Sequence, residues 1–353
     1  MIRNTESKKS MIFDVAVVGG GLSGVCAAVA AARSKKSVLL IEKYGFLGGM
    51  TTAAFFTPWQ LQGSFEDCGR IGAEVLSSLQ AMNGLRVRSG RTAVDLESLK
   101  FVLQEMLLRH DVALLLHSQC CAFEKKDTSI LSIELQCREG RVAVAAKQFV
   151  DATGILALAG LADVAVRQEH TALSYRFMVT GVRDGEISEQ HKNQLAEKWS
   201  GMYPNLSKGQ CDIAPGSRDG EAVVGIIHYD GRGDSDARRL IEMRAPQLVA
   251  EAELFLRREV DEFRSASVLA VPAQIGLHAA RTTHAVSRVT KLPDILETKA
   301  GVFDHAMRQT GMRNLFITGR NILDPQILST TNNPQASMIL GERTGVLAVL
   351  SLS

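Results

Sequence analysis

Three glycines near the start of the chain have the spacing of a pyrophosphate-binding turn. Gly19, Gly21 and Gly24 form a G-x-G-x-x-G pattern between an apolar run and a small-residue stretch. The first glycine permits a tight turn, the second lets the backbone approach the phosphates, and the third lets a helix pack closely on a strand. Leu22 and Ser23 begin this helix, whose free N–H groups and positive dipole end favour phosphate. The pattern predicts a nucleotide-binding turn.

An acidic residue follows at the position expected for ribose recognition. Glu42 ends a second apolar run, eighteen residues after Gly24. A carboxylate at this place accepts hydrogen bonds from a ribose diol and repels a 2′-phosphate. NADP is therefore disfavoured, whereas FAD and NAD remain open.

These residues need a β-α-β unit to position them. Residues 13–18 and 38–41 are β-rich apolar runs, and residues 22–33 between them have a helical pattern of small residues. Two further β-rich runs, 130–137 and 141–149, are joined by a short turn, which is typical of an antiparallel excursion. Residues 173–271 differ in character and are predicted to form a second, inserted domain.

A long charged helical region is predicted within this second domain. It covers residues 234–260, and Pro246 is expected to interrupt it because proline lacks a backbone N–H.

Three later segments distinguish FAD from NAD. KYGFLGGMTT follows Glu42 directly. A second glycine-rich loop has no role in a simple NAD domain, whereas the longer FAD needs a loop beyond its pyrophosphate. FVDATG at 149–154 and NLFITGRN at 314–321 each lead from a strand into a glycine turn that can pass close to a bound nucleotide. These segments favour FAD as the cofactor.

Several of these motifs together resemble a known family. GGGLSG, Glu42-Lys43, FLGGMTT, VDATG, NLFITGR and ILGERTGVLAVL are similar to segments of FAD-dependent oxidoreductases with a glutathione-reductase-like FAD-binding fold, especially their poorly characterised branch. The likeness covers most of the chain and is weakest at about 183–234. It implies an α/β fold, with a Rossmann-like three-layer FAD-binding domain at 12–172 and 272–353 and an inserted α+β substrate or cap domain at 173–271.

The resemblance also implies a role for each motif. The glycines would line the pyrophosphate, Glu42 the adenosine ribose and the backbone near Cys121 the adenine, while residues 49–52 would lie near the flavin. The residues 153–154 and 319–320 would close over the cofactor, and residues 332–333 would approach the pyrimidine end of the flavin. The implied cofactor-binding residues are Gly19, Gly21, Leu22, Ser23, Gly24, Glu42, Lys43, Gly49, Met50, Thr51, Thr52, Cys121, Ala152, Thr153, Gly154, Gly319, Arg320, Asn332 and Asn333.

The chain departs from the family where a charged cluster is common. Relatives often carry Arg-Glu-x-Arg after an Ile-Gly pair, but IGLHAARTTHA retains only Arg281, with His278 and Ala279 in the other two places. A histidine near a flavin could take a proton while the flavin takes a hydride, and Arg281 could hold a substrate carboxylate. We predict His278 and Arg281 as catalytic residues and His228 as a weaker candidate. The alternative is that all three have ordinary structural roles.

Several reactions are compatible with these features. The expected one is hydride transfer from a small metabolite to FAD, with reoxidation by oxygen or another acceptor. The alternatives are a flavin monooxygenase, a flavin-binding subunit of a larger assembly and, more distantly, an NAD-dependent dehydrogenase. The monooxygenase ranks lower because NLFITGRN lacks the Gly-Asp that is usual in aromatic hydroxylases. Disulfide reduction is excluded, because the sequence has neither a second G-x-G-x-x-G nor a cysteine pair for relaying electrons.

Composition limits the partners. Forty basic and thirty-eight acidic residues give a net charge of +2 without a long block of either sign, so nucleic-acid binding is not expected. Residues 1–11 lack the apolar core of a signal peptide, and no apolar run is long enough to span a membrane, which predicts a cytoplasmic protein. The six cysteines have no metal-ligand spacing, so no metal is expected. The expected partner is a small-molecule substrate, with a homo-oligomer or a partner subunit left open.

Overall fold

The structure is a computed structural model, in which residues 12–88, 90–162, 166–168, 171–183, 187–203, 212–231, 235–277, 281–283, 308, 310–319 and 334–352 are described. Within these residues two larger β-sheets are each covered by helices, and each sheet has its own cluster of buried apolar side chains.

The first sheet has a parallel centre. Its strands are β1 (Ile12–Val18), β2 (Val38–Ile41), β5 (Ala113–Leu115), β6 (Gln119–Lys126), β7 (Ser129–Cys137), β8 (Gly140–Asp151) and β16 (Leu315–Ile317). The strands β5, β2, β1, β8 and β16 are parallel in this order, whereas β6 and β7 form the antiparallel excursion on β8. Val15–Val18 and β2 are buried on both faces, as expected for central parallel strands.

Helices cover both sheets and form many of the connections between strands. The described helices are α1 (Leu22–Arg33), α2 (Met50–Ala53), α3 (Arg70–Ala81), α4 (Leu96–Arg109), α5 (Ala157–Leu161), α6 (Glu189–Met202), α7 (Ser235–Glu259) and α8 (Pro334–Leu350). None of the described helices combines the length and apolar character needed to cross a bilayer.

The helices α1 and α8 cross at very short range. A Cβ atom on Gly341 would lie 2.1 Å from the carbonyl oxygen of Ser23, and one on Gly345 would lie 2.2 Å from that of Ala27. Only glycine permits this approach, which brings α8 against the first turn of α1.

The second sheet is antiparallel. Its strands are β10 (Thr171–Thr180), β11 (Asp212–Pro215), β12 (Ala222–Gly231), β13 (Ser267–Ala270) and β14 (Gly276–Leu277). Two short pairs complete the described strands: β3 (Leu85–Arg88) with β4 (Arg91–Val94), and β9 (Val166–Gln168) with β15 (Arg281–Thr283). On β10, alternate residues Tyr175, Phe177 and Val179 are buried in the core shared with α6 and α7.

The opposite face of β10 packs on the first part of the chain. Met178 and Val223 contact Phe55 and Leu96, which belong to the connections of the first sheet. This contact places the second sheet next to α2, the helix that begins at Met50.

The structure agrees with the predicted fold class, an α/β protein with a parallel sheet and additional antiparallel structure. The boundaries 12–172, 173–271 and 272–353 stay predictions. The expected interruption at Pro246 is wrong, because α7 is continuous on both sides of this residue. Ala245 before the proline and Leu248 and Val249 after it are buried in the second core, so packing stabilises the helix despite the proline.

Candidate functional site

Two glycines of the β1–α1 turn are required by the fold itself. Gly19 has φ of +111°, and a Cβ atom there would lie 2.5 Å from the carbonyl oxygen of Ala152. A Cβ atom on Gly24 would lie 1.8 Å from the carbonyl oxygen of Gly19. The turn and the close packing of α1 on β1 therefore explain both glycines without a ligand.

Gly21 is different. It has an ordinary φ of −71°, and the nearest atom to a Cβ built on it is the Cα of Gly49 at 3.7 Å. This is a normal van der Waals distance, so the protein has room for a side chain here. The helix α1 begins immediately afterwards, with no side-chain cap and no acidic residue in its first turn. A glycine at this position would let a ligand such as the pyrophosphate of a dinucleotide approach the backbone at the helix N-terminus.

The second glycine loop lies directly against the first. The N–H of Gly48 donates to the carbonyl oxygen of Gly20 at 2.9 Å, and the Cβ position of Gly49 is 2.9 Å from the Cα of Gly21. The hydroxyl of Thr52 donates to the carbonyl oxygen of Leu47 at 2.6 Å and so fixes the loop. The residues from Gly49 to Thr52 thus follow Gly21 at the carboxyl edge of the sheet.

Glu42 connects the two loops. Its side chain is only 6% exposed. One carboxylate oxygen accepts the N–H of Gly20 at 2.6 Å, and the other accepts the N–H of Tyr44 at 2.9 Å. A carboxylate offers about four acceptor positions, so Glu42 keeps capacity for the hydroxyls of a ribose.

The turn after β8 is held by a buried acid. The carboxylate of Asp151 accepts the N–H and the hydroxyl of Thr153 at 3.1 and 2.7 Å, and the N–H of Ala159 at 2.8 Å. Burial raises the pKa of Asp151, and these hydrogen bonds oppose the rise. Because Ala152 contacts Gly19, this network sets one wall of the first glycine turn.

The end of β16 forms a second wall. Gly319 has φ of +75°, and a Cβ atom there would lie 2.7 Å from the hydroxyl oxygen of Ser23. The side chain of Thr318 is buried, and its hydroxyl has no hydrogen-bond partner within the described part of the chain. An unpartnered buried hydroxyl beside the glycine turns also fits a polar ligand at this edge.

A cavity of about 470 Å³ lies beside Lys43, the residue after Glu42. It is lined by Lys43, His117, Gln119, Gln136, Cys137 and Arg138. The backbone N–H of His117 donates to the carbonyl oxygen of Tyr44 at 3.2 Å. This hydrogen bond connects the cavity wall to the loop that follows β2. Cys121 itself does not line this cavity, and the β6 residue that does is Gln119. The thiol of Cys121 is exposed and contacts the carbonyl oxygen of Glu134 at 3.4 Å.

The predicted catalytic residues, and three of the predicted cofactor-binding residues, are described in part or not at all. His228 lies in β12 and Arg281 in β15, with their side chains outside the description, whereas His278, Arg320, Asn332 and Asn333 lie outside the described residues altogether. The backbone of His228 pairs with Ser174 of β10, and Ser174 also pairs with Gly276 of β14. β10 therefore lies between the strand of His228 and the segment that leads to His278.

The structure adds three residues that the sequence did not suggest. Gln274 donates its backbone N–H to the carbonyl oxygen of Ala53 at 3.1 Å, and its side chain contacts the sulfur of Met50 and the hydroxyl of Tyr44. The guanidinium of Arg176 lies 4.8 Å from the ring centre of Phe56. Tyr44, Gln274 and Arg176 therefore connect the second sheet to the loop of the second glycine motif.

The described residues contain no group of three or more His, Cys, Asp or Glu side chains arranged to hold a metal ion. The glycine turns, Glu42 and the α1 N-terminus are instead the kinds of groups that suit a nucleotide.

Comparison with known proteins supports the fold and FAD as the cofactor. A family model described as FAD dependent oxidoreductase matches residues 14–304. No curated protein has a significant sequence match to the chain.

Solved structures share the fold. The flavin-dependent brominase Bmp2 is 14% identical with a TM-score of 0.57, covering 97% of this chain and 80% of its own. A geranylgeranyl bacteriochlorophyll reductase-like protein from Thermoplasma acidophilum is 14% identical with a TM-score of 0.55 and the same coverage, 97% and 80%. Aklavinone-11 hydroxylase, in a complex with FAD and aklavinone, is 14% identical with a TM-score of 0.51, covering 90% of this chain and 58% of its own. At such identity these structures support the fold, that of Rossmann-type flavoproteins.

Proposed function

The chain belongs to the FAD-dependent oxidoreductase family, and we propose that it catalyses the two-electron oxidation of a small metabolite. When bound, FAD supplies the acceptor for the hydride, and oxygen or another acceptor then takes up the electrons. The residues of the chain bind and orient the cofactor, exclude water and remove the substrate proton.

The room left at Gly21 is the observation that supports this proposal most. It lies between the N-terminus of α1 and Gly49, where the fold itself does not require a glycine. We place the pyrophosphate there, the ribose at Glu42 and the adenine in the cavity beside Lys43 and His117. The flavin then extends toward the residues 49–52.

The second sheet covers this end of the site. Phe55, Met178 and Val223 form an apolar contact between the sheet and the chain after α2, which keeps water from the region next to Thr52. Gln274 holds Met50 from the side of the second sheet. Exclusion of water protects a hydride donor and strengthens local electrostatic interactions.

A base is needed for the proton that accompanies the hydride. We assign this role to His278, because it follows β14 and because imidazole accepts a proton near neutral pH. In this step the hydride leaves a carbon of the substrate, and the histidine takes the proton from the neighbouring O–H or N–H. Arg281 and His228 remain candidates for orienting the substrate.

The visible spectrum of the purified protein tests the proposal. We expect a yellow protein whose flavin absorbance is lost when an oxidisable metabolite is added without oxygen. Gly21→Val should fold but lack flavin, because its side chain fills the space for the pyrophosphate. Gly160→Val is the matched control, since beyond its chain neighbours and its own helix backbone no atom lies within 4 Å of a Cβ at Gly160.

Two results would contradict parts of this proposal. A Gly21→Val protein that keeps its flavin would refute the cofactor placement. A yellow protein that no donor reduces, but that turns over when a second protein is added, would favour a flavin-binding subunit.

A flavin monooxygenase is the second candidate. The fold neighbours include a brominase and a hydroxylase, whose names describe flavin-dependent halogenation and hydroxylation. Substrate-stimulated oxidation of NADH or NADPH, with transfer of one oxygen atom into the product, would favour this reaction. Reduction of the flavin by the substrate alone would favour the oxidation that we propose.

A further inference from the structure

Arg176 is a mostly buried arginine and the one charged residue of β10. It lies on β10 between Tyr175 and Phe177, which face the second core. Because side chains alternate along a strand, Arg176 points to the opposite face, toward Phe56. Its side chain is 16% exposed, and burial lowers the pKa of its guanidinium although the group stays charged.

The charge of Arg176 is only loosely paired. The nearest carboxylate oxygen in the described part of the chain belongs to Asp212, 3.8 Å from a guanidinium nitrogen of Arg176. The other oxygen of Asp212 lies 3.9 Å from Arg91. Both distances exceed the roughly 2.7–2.9 Å of a charged hydrogen bond. Two guanidinium groups thus share one carboxylate, and the cluster of Arg91, Arg176 and Asp212 has one positive charge in excess.

The cluster lies close to the proposed flavin end of the site. The backbone N–H of Phe56 donates to the carbonyl oxygen of Thr51 at 3.2 Å, and Arg176 lies over the ring of Phe56. Phe56 therefore links the guanidinium of Arg176 to the loop at 49–52. Arg91 and Asp212 each have side chains that are 46% exposed, so the cluster opens to solvent on its other side.

We propose that Arg176 and Arg91 bind the carboxylate of the substrate, and that the oxidised metabolite is a small monocarboxylic acid. This inference rests on the proposed function. One bound carboxylate would balance the charge of the two arginines and Asp212, and would give the guanidinium N–H groups the short carboxylate contacts that the described residues do not supply. A buried guanidinium with good acceptors is much more favourable than one without them.

Binding of carboxylates to the FAD-loaded protein tests the inference. We would titrate acetate and benzoate, with benzamide as the uncharged analogue, and follow binding by calorimetry and by the flavin spectrum. Arg176→Gln should weaken carboxylate binding by about tenfold or more, because a charged hydrogen-bonding pair is lost. Arg176→Lys should recover only part of the affinity, since lysine cannot bind a carboxylate in two-point fashion. Benzamide binding should not follow this order.

Arg109→Gln is the matched control, because Arg109 is an exposed arginine paired with Glu105 on α4. It should leave both carboxylate affinity and flavin content unchanged. If Arg176→Gln does not fold, Arg176→Lys and Arg91→Gln provide the same test.

Unchanged benzoate or acetate affinity in the Arg176 variants would overturn the inference, and so would a wild-type protein that binds neither acid. Calorimetry detects binding without a flavin signal. A colourless protein would therefore contradict the proposed function, whereas a yellow protein with unaltered carboxylate binding would contradict only the role of Arg176.

Discussion

The N–H of Gly20 and the carboxylate of Glu42 form a hydrogen bond of 2.6 Å between the first glycine turn and the end of β2. The same carboxylate accepts the N–H of Tyr44, the residue where the chain continues toward the second glycine loop. One buried side chain thus fixes the relative positions of the two loops. The loop geometry therefore depends on the same carboxylate that we propose to bind the ribose.

Replacement of Glu42 by Gln should affect both stability and cofactor binding. A neutral amide accepts a weaker hydrogen bond from Gly20 and places an NH₂ group opposite an N–H donor. We expect a loss of about 1–3 kcal/mol in the free energy of unfolding and roughly tenfold weaker FAD binding. Chemical denaturation and FAD titration measure the two effects.

Glu134→Gln is the control for Glu42→Gln, because Glu134 forms a surface ion pair with Arg141. Surface pairs contribute little, so both properties should stay within error of the wild type. FAD affinity that is unchanged in Glu42→Gln would show that the carboxylate does not contact the cofactor.

Gly345→Ala should destabilise the contact between α1 and α8. The new methyl group would start 2.2 Å from the carbonyl oxygen of Ala27, a backbone atom that cannot rotate away. Overpacking of this kind costs about 1–3 kcal/mol in the free energy of unfolding. Gly160→Ala, in the open position on α5, should be neutral, so a matching loss in both variants would argue against the close crossing.

The β1–α1–β2 unit and the two glycine loops could be predicted because their chemistry is local. Gly19, Gly24 and Gly49 stand where the backbone has positive φ or where another backbone leaves no room for a Cβ atom. Because only glycine meets these requirements readily, the residue type itself marks such positions in the sequence. The structure brings these glycines together with Glu42 and Gly319, while their contacts to FAD stay predictions.

Features that depend on tertiary packing could not be predicted in this way. The pair β3–β4 and the helix α6 have weak local signals, and α7 continues through Pro246 because its apolar residues are buried in the second core. The position of Arg176 could be predicted only in part. The alternation of side chains along SYRFMVTGV indicates that Arg176 and Phe177 lie on different faces of the strand. Only the packing of the folded chain brings Arg176 to Phe56 and Asp212.

Pro246→Ala should stabilise the protein. The residue is exposed and lies inside a continuous helix, where proline lacks the N–H for the helical hydrogen bond and crowds the preceding turn. Alanine restores the donor, and we expect a gain of about 1–3 kcal/mol in the free energy of unfolding, measured in urea. Gln247→Ala, at the next exposed position, should change stability much less. A loss of stability in Pro246→Ala would mean that the packing of α7 requires the bend that proline imposes.

The ion pair between Lys147 and Asp14 should stabilise the protein at neutral pH and lose this effect at acidic pH. Asp14 accepts hydrogen bonds from Lys147 at 2.8 Å and from Ser37, and the Lys147 contact is the main reason that its pKa falls from 3.8 to about 2. A lowered pKa in the folded state contributes stability above the unfolded value, and this contribution disappears as the pH falls from 3.8 to about 2.

Lys147→Met should therefore be less stable than the wild type near neutral pH, and the difference should shrink over this acidic range. Denaturation at a series of pH values measures it. Lys126→Met, at an exposed position of β6, should show no such pH dependence. A constant difference between Lys147→Met and the wild type at all pH values would assign the effect to packing of the lysine stem.

Thr318→Val should separate cofactor binding from stability. The side chain of Thr318 is 1% exposed, and its hydroxyl has no hydrogen-bond partner among the described residues. Removal of an unsatisfied buried hydroxyl should leave the stability of the FAD-free protein unchanged or raise it by about 1 kcal/mol. If the hydroxyl contacts the cofactor, FAD should bind several-fold more weakly, which a titration of the FAD-free protein measures.

Thr310→Val should give the opposite result. The hydroxyl of Thr310 is also buried, but it donates to the carbonyl oxygen of Leu315 at 2.9 Å and accepts the N–H of Met312 at 3.2 Å. Its loss should cost about 1–3 kcal/mol of stability without an effect on FAD affinity, because the broken bonds lie before β16 and not at its carboxyl end. Equal FAD affinity in Thr318→Val and the wild type would place the cofactor away from the end of β16. In that case Gly319 would be explained by its approach to Ser23 alone.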